Sequence, residues 1–221
     1  MITVHHLEDS RSQRVLWLLE ELEIEYRVER YARDPETGLA PDTLKRVHPL
    51  GKSPVISDAT RTVAETGLII DYIVREHGDG RLAPAPGSED HLRYAYWLHY
   101  AEGSLMPPLL LQRVFDTVEK KAPLLARPVA KAISGQVKKK FIRPQQQLHF
   151  DYLENELRSH EWFVGDAFTA ADIMLSFPIE AAVARAGAGR RCPKLREFVE
   201  RIQARPAYRR ALERGGPYAY A

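Results

Sequence analysis

The chain has 221 residues, of which 44% are hydrophobic and 28% charged, as is ordinary for a globular protein of one large or two small domains. Its formal net charge of +2 gives no reason to expect a nucleic-acid partner. No apolar run approaches the roughly 18 residues of a membrane-spanning helix, and the N-terminus does not read as a signal peptide. The single cysteine, Cys192, excludes an internal disulfide. Together these features predict a cytoplasmic protein without a membrane partner.

The first elements form a predicted βαβ unit. Ile2 to Leu7 and Glu25 to Tyr31 have the pattern of strands, and Arg11 to Leu22 has apolar residues at helical spacing. Ser10 and Gln13 have the spacing of a capping box at the start of this helix. Two strands joined by a helix within about 30 residues normally lie parallel, with a right-handed crossover.

The next segments complete a small α/β domain. Pro41 to Val47 predicts a weaker helix, the runs around Val55 and Val63 predict a hairpin, and Thr66 to Glu76 predicts an amphipathic helix. The order βαβ-α-ββ-α is the thioredoxin-like layout, and we assign it to residues 1–77.

The remainder is predicted to be helical. Residues 78–87 are rich in glycine and proline and are predicted to be a linker. Residues 88–221 show no convincing strand and form a predicted all-α domain. Its helical stretches are 89–118, which Pro107 and Pro108 should kink or interrupt, then 123–158 as one helix or two, and three shorter ones near 171–186, 194–204 and 206–214.

One helix start in this domain has a strong capping signal. Thr169 is a good N-cap, Asp172 at the third helical position can return a hydrogen bond, and Phe168 with Ile173 has the spacing of a hydrophobic staple. We interpret this segment as a folding signal and not as chemistry.

The most informative stretch is residues 51–66. Pro54 cannot donate to a sheet ladder and therefore belongs at a strand start or edge, which leaves nearby backbone groups free to bind a ligand. A turn, a second strand and a helix start follow. The side chains that such a layout brings within reach of a small zwitterion are those of Lys52, Ser53, Glu65 and Thr66.

This Ser-Pro-Val stretch with its Glu-Thr pair resembles the glutathione-binding half of the glutathione S-transferase family, and the likeness extends over essentially the whole chain. The resemblance implies a cis proline at Pro54 and main-chain pairing of the cysteinyl part of glutathione by the residues around it, Ser53 and Val55. It also implies that Glu65 and Thr66 hold the γ-glutamyl end, with helix N-terminal N–H groups receiving the carboxylate. Lys52 is expected to reach a glutathione carboxylate or carbonyl, or else to be a solvated loop lysine.

Glutathione chemistry needs a thiolate, and the loop between the first strand and the first helix is the place for its stabilising hydroxyl. Ser10 is the first candidate and Ser12 the second, with Arg11 adding positive charge; Ser10 can also be only a helix cap. The sequence around them resembles a bacterial and fungal subgroup with a serine-arginine loop. Asp9 stands where several serine-type classes carry their serine, so the loop must turn differently or Asp9 must face away.

The helical domain is expected to supply the pocket for the electrophile. An aromatic helix face is more often core or dimer interface, but some residues of the first long helix must face the cleft. The candidates there are Tyr94, Trp97, Tyr100 and Ser104, with His99 and Met106 on the same stretch. Eight basic residues in 120–143 are read as a solvated face, with steering of an anionic ligand as the alternative.

The function implied by the resemblance is that of a glutathione S-transferase, which activates the thiolate of glutathione for attack on a small electrophile. Glutathione is the expected cosubstrate, no metal is expected, and a homodimer is typical of the family. Two alternatives stay open at this point: a glutathione-dependent peroxidase or isomerase on the same fold, and a non-catalytic binding or partner protein.

Overall fold

A computed structural model describes residues 1–220; the last residue of the predicted helical domain, 221, lies outside the described part. Its sheet-containing part has four strands in the order β2-β1-β3-β4. The parallel pair β1–β2 flanks the antiparallel pairs β1–β3 and β3–β4. The elements are β1 (Ile2–Leu7), α1 (Gln13–Glu21), β2 (Tyr26–Tyr31), a 3₁₀ turn (Asp42–Arg46), β3 (Val55–Asp58), β4 (Arg61–Ala64) and α2 (Thr66–His77).

This order confirms the thioredoxin-like layout, with the weaker helix shortened to a single 3₁₀ turn. The residues of helix α1 from Val15 to Leu19 are buried on every side of the helix. One side of α1 packs on the sheet, and the opposite side packs against helices of the C-terminal helical part. The α1 helix is therefore the element that joins the two parts.

The rest of the chain is helical, as predicted. The helices are α3 (Glu89–Tyr100), α4 (Met106–Lys121), α5 (Arg127–Val137), α6 (Arg143–Ser159), α7 (Ala170–Arg185), α8 (Ala188–Arg191), α9 (Pro193–Ala204) and α10 (Pro206–Gly215). In residues 1–220, no helix is long and apolar enough to cross a membrane.

The prolines of the long helices do not break them. A π-helical turn, Ala101–Leu105, joins α3 to α4 just before Pro107 and Pro108, and a second one, Lys138–Ile142, joins α5 to α6 just before Pro144. A proline has no N–H for the helical ladder and its ring crowds the preceding turn, so a locally widened helix accommodates it.

The predicted cap of α7 is confirmed for Asp172, whose carboxylate returns a hydrogen bond to the N-cap residue. The Asp172 carboxylate is fully buried and accepts from the N–H groups of Thr169, at 2.8 Å, and Phe163, at 3.0 Å. Burial raises the pKa of Asp172 to about 6, against the opposing effect of these hydrogen bonds. The carboxylate thus fixes both the start of α7 and the loop before it.

Candidate functional site

Two neighbouring cavities lie along the seam between the sheet-containing part and the helices. The small one has a volume of about 350 Å³ and the large one about 590 Å³. Three residues line both: Arg11, Lys52 and Ser53. The small cavity is otherwise lined by His48, Leu50, Pro54, Ala64, Glu65, Thr66 and Glu102. The cavities therefore form one continuous site with a shared boundary.

The floor of the small cavity is the turn into β3. The Ser53–Pro54 peptide bond is cis. The Ser53 hydroxyl donates to the His5 carbonyl at 2.9 Å and accepts from the Leu7 N–H at 3.2 Å. Because both bonds are made to β1, the turn is held against the central strand, and Val55 follows as the first residue of β3.

The opposite end of the small cavity is the start of α2. Glu65 is exposed and adopts φ 73°, ψ 120°, a conformation that is rare for a residue with a side chain and is found most often at functional sites. Thr66 is buried and is the first residue of the helix, so the free N–H groups of the first turn lie at this cavity. This end of the cavity can therefore bind an anionic group at the helix N–H groups and a cationic group at Glu65.

An ion pair between a buried arginine and a partly exposed glutamate supports the wall between the two cavities. Arg14 of α1 has a side chain only 1% exposed, and its guanidinium contacts the Glu102 carboxylate at 2.5 Å and the Met174 carbonyl at 2.6 Å. Arg11 reaches the same carboxylate at 3.5 Å. Burial alone would raise the pKa of Glu102, but the two guanidinium groups outweigh it and lower that pKa. Glu102 therefore holds Arg11 and Arg14 in place as a charged group.

The loop before α1 contains a chain of three hydrogen-bonded side chains. Ser10 Oγ lies 2.7 Å from Ser12 Oγ, and Ser12 Oγ lies 2.8 Å from His6 Nδ1. Ser10 also accepts from the Ser12 N–H at 3.2 Å. Ser10 lines the large cavity, whereas Ser12 is fully buried behind it. Burial, and to a lesser extent the charge of Arg30, lowers the pKa of His6 to about 4, against a smaller opposing effect of the Gly215 backbone.

The predicted capping box of α1 is wrong. The helix begins at Gln13, its N-cap is Ser12, and the Ser10 hydroxyl bonds to Ser12 and not to Gln13. The reason is that the loop tightens after Asp9, which has φ 45°. The Asp9 carboxylate accepts from the Ala219 N–H at 3.0 Å, so the C-terminal segment engages one of its oxygens.

Comparison with known proteins identifies the chain. The family model for the glutathione S-transferase N-terminal domain matches residues 10–76, and that for the C-terminal domain matches residues 116–213. Glutathione S-transferase 3 of Schizosaccharomyces pombe is 34% identical over 97% of this chain and 88% of its own length. The chain belongs to the glutathione S-transferase family.

Solved structures show the same fold. A glutathione S-transferase from Actinobacillus pleuropneumoniae, 30% identical, superposes with a TM-score of 0.80 over 97% of this chain and 93% of its own. A sphingomonad glutathione S-transferase complexed with glutathione, 23% identical, gives a TM-score of 0.72 over 97% of this chain and 98% of its own. The protein is accordingly a glutathione transferase enzyme.

The structure of this transferase brings together only part of the predicted site. Tyr94, Trp97 and Tyr100 are buried and belong to the aromatic core of the helical part, where the Trp97 Nε1–H donates to the Phe163 carbonyl. Ser104 is exposed on the first π turn. None of the four is among the lining residues of either cavity in the described chain. Their burial has an ordinary cause, because the aromatic face of α3 packs against α6 and α7.

The large cavity of the transferase is lined instead by residues that the sequence reading missed. Its apolar surface comes from the start of α4 and from α7, and its charged surface from α4, α7 and the loop after β2. One sequence signal was the i, i+4, i+7 spacing of Arg113, Thr117 and Lys120, although the predicted helix ends at residue 118, before Lys120. Of the other two candidates on this stretch, Met106 lines the large cavity and His99 lines neither. The residues with large side chains that were not predicted are Arg33, Leu109, Leu110, Arg113, Lys120, Phe177, Arg185 and Tyr220.

Proposed function

We propose that glutathione occupies the small cavity of this transferase, with its sulfur at the shared boundary beside Ser10, and that the electrophile occupies the large cavity. The observation that supports this assignment most directly is the boundary that the two cavities share. Arg11, Lys52 and Ser53 line both cavities, and Ser10 stands on the large-cavity side of the same boundary. A thiol placed there has a binding pocket on one side and room for a reaction partner on the other.

Each part of glutathione has a matching group. The γ-glutamyl carboxylate is received by the first-turn N–H groups of α2 and the Thr66 hydroxyl, and the ammonium by Glu65. The cysteinyl part pairs with the main chain around Ser53, with Pro54 and Val55 shaping the turn. Lys52 reaches the glycyl carboxylate. The glutathione-bound sphingomonad structure supports this choice of ligand for the fold.

Ser10 is the group proposed to stabilise the thiolate. In one arrangement of the protons, His6 Nδ1–H donates to Ser12 Oγ. The Ser12 hydroxyl then donates to Ser10 Oγ, 2.7 Å away, and not to its other acceptor, the Leu7 carbonyl at 3.3 Å. Ser10 then receives two hydrogen bonds from Ser12, and its own proton is left to point into the large cavity, where it can donate to sulfur. Ser12 and His6 are positioning residues in this scheme. Arg11 and the start of α1 add positive potential.

The reaction then needs little from the enzyme besides position and a low thiol pKa. The thiol proton is lost to water, the sulfur forms a bond to the electrophilic carbon, and the leaving group departs with its bonding electrons. Holding both reactants in adjoining cavities makes the attack effectively intramolecular. We place the protein in the cytoplasm for this reaction.

A homodimer is the proposed assembly. Exposed apolar side chains lie along one side of α3 and α4 at helical spacing, and one lies on α2: Leu68, Leu92, Tyr96, Leu111, Val114 and Val118. A second copy of the chain would cover a patch of this kind, which a monomer would leave in water.

The direct test of glutathione binding is a calorimetric titration. We expect one glutathione per subunit, and Glu65→Gln should weaken binding about tenfold by removing the partner of the ammonium. Glu161→Gln, an exposed glutamate outside both cavities, is the matched control. Absence of binding in the unmodified protein would contradict the proposal and favour a non-catalytic role. Bound glutathione with activity only toward peroxides or maleyl compounds would favour the peroxidase or isomerase alternative.

A further inference from the structure

The large cavity changes in character along helix α4. Leu109 and Leu110 line it near the start of the helix, and Arg113 and Lys120 line it further on. An α-helix rises about 1.5 Å per residue, so Arg113 lies about 6 Å along the axis from Leu109, and Lys120 about 10 Å further. Arg185, the last residue of α7, lines the same cavity. The cavity wall thus has an apolar region and, beyond it, a cationic region consisting of Arg113, Lys120 and Arg185.

No side-chain carboxylate in residues 1–220 neutralises the charge of the cationic region. Within residues 1–220, the ion pairs of the structure include none between these three side chains and a carboxylate at 4.0 Å or less. Asp116, an acid that lines the same cavity, is paired with Lys138 at 2.8 Å. Arg185 has its guanidinium over the ring of Tyr220, 4.7 Å from the centroid, which leaves its charge in place.

The facing wall adds further positive charge. The guanidinium of Arg33 donates to the backbone carbonyls of Glu8, Asp9 and Gly38, so it is fixed in direction but keeps its charge. Asp9 is the one acid on that wall. One of its oxygens accepts from the Ala219 N–H, which orients the carboxylate, and its charge offsets one of the positive charges there.

The helix dipole accounts for two of the three cations, all of which are exposed to solvent. Lys120 lies in the last turn of α4 and Arg185 ends α7, and cations are favourable at both places because of the helix dipole. Arg113 lies in the middle of α4, where that effect is absent. These three cations have no carboxylate partner in residues 1–220. Together with the fixed arginine on the facing wall, they favour anions over neutral molecules of the same shape.

From this wall we infer that the preferred electrophile of the transferase is an apolar molecule that carries an anionic group remote from its reacting carbon. The inference rests on the proposed function, since it takes the large cavity as the electrophile site. The apolar region near Leu109, Leu110 and Phe177 holds the body of the molecule, and the cationic region holds the anion. The anion can be a carboxylate, sulfonate or phosphate, because all three accept hydrogen bonds from guanidinium groups.

The test uses two electrophiles that differ only in distal charge. Both are 4-chloro-3-nitrobenzamides, one with an N-linked butanoate and the other with the neutral butanamide, so the reacting rings are electronically alike. In each conjugation a sulfur–carbon bond forms and chloride leaves with the bonding electrons. The kcat/KM of each, divided by its uncatalysed rate constant with glutathione, should be about tenfold higher for the acid, and the ratio should fall with added salt.

Variants locate the effect. Arg113→Gln with Lys120→Gln should reduce the acid-to-amide ratio to about twofold or less, and Arg185→Gln should reduce it in part. Lys121→Gln and Arg190→Gln remove the same charge from exposed positions that do not line the cavity, and should leave the ratio unchanged. A ratio near one in the unmodified protein, or a high ratio that the cavity variants do not reduce, would overturn the inference.

A binding measurement separates this inference from the proposed function. The analogues of both electrophiles without chlorine cannot react, and their affinities are measured by calorimetry at saturating glutathione. Tighter binding of the acid that is lost in the Arg113 and Lys120 double variant supports the anion site even if turnover is absent, in which case only the proposed chemistry fails. Equal affinities would overturn the inference even if both electrophiles are turned over.

Discussion

The two serines of the loop before α1 have different surroundings, and this difference decides their roles. Ser12 is fully buried between His6 and Ser10, so its hydroxyl has no access to a ligand. Ser10 is also mostly buried, at 7% exposed, but it lines the large cavity. Ser10 is therefore the better candidate for contact with sulfur, and Ser12 acts only through it.

His6 makes a specific prediction about pH. Its folded pKa of about 4 is depressed below the ordinary value of about 6.5, so the unfolded chain binds a proton first as pH falls. The stabilisation is present above pH 6.5 and is lost as pH falls toward 4. Between pH 7 and 5 the unmodified protein should lose about 2 kcal/mol of unfolding free energy that His6→Asn does not lose.

Denaturant unfolding at pH 7, 6 and 5 measures this difference, with His99→Asn, at an exposed histidine, as the control. Parallel losses in the unmodified protein and His6→Asn would show that His6 titrates normally in the folded state.

Local motifs made part of the site predictable from sequence. Lys52 to Pro54 and the Glu65–Thr66 pair are close together along the chain, and the hairpin between them returns both ends to the same place. The Ser10–Ser12–His6 chain was not predictable in the same way, because it depends on how tightly the loop turns after Asp9. The Arg14–Glu102 pair joins residues far apart in sequence and needs the packed fold.

At the scale of elements, the fold was largely predictable because each helix and strand has a clear pattern and clear breaks. The aromatic residues of α3 were the exception. Their spacing showed one apolar face but not what that face meets, and packing against α6 and α7 made it core. The residues that line the large cavity come from the next helix, beyond the π turn.

The cap of α7 gives a stability prediction. Asp172→Ala leaves the buried N–H groups of Phe163 and Thr169 without their acceptor, and should cost about 3 kcal/mol of unfolding free energy. The activity per folded molecule should stay the same, since Asp172 lies outside both cavities. Asp166→Ala, at an exposed aspartate nearby, is the control. Equal stability of the two variants in denaturant titrations would refute the folding role.

The first π turn, which contains Glu102, gives a second stability prediction. Glu102→Ala removes the carboxylate partner of the buried Arg14 and should cost about 3 kcal/mol, because an uncompensated charge is left in the interior. Glu200→Ala breaks an exposed pair with Arg196 and should cost less than about 1 kcal/mol. Thermal and denaturant unfolding of both variants make the comparison, and a cost for Glu102→Ala as small as that for Glu200→Ala would contradict the structural importance of this pair.

At the scale of the molecule, the apolar patch on α2, α3 and α4 predicts dimerisation. Leu92→Glu with Val114→Glu should convert a dimer to a monomer, because two buried charges per subunit would oppose association. Leu148→Glu changes an equally exposed leucine on α6 and should leave the dimer intact. Light scattering coupled to size exclusion gives the mass, and a dimer that survives the double change would place the interface elsewhere.

Ser10 is proposed to stabilise the thiolate of glutathione bound at the junction of the two cavities. The thiolate absorbs in the ultraviolet, so a pH titration of the enzyme–glutathione complex gives the pKa of the bound thiol. We predict a pKa at least about 1.5 units below the free value of about 8.5. Ser10→Ala should return it most of the way, and Ser12→Ala only in part. A bound thiol that titrates like free glutathione, or an unchanged pKa in Ser10→Ala, would contradict the account.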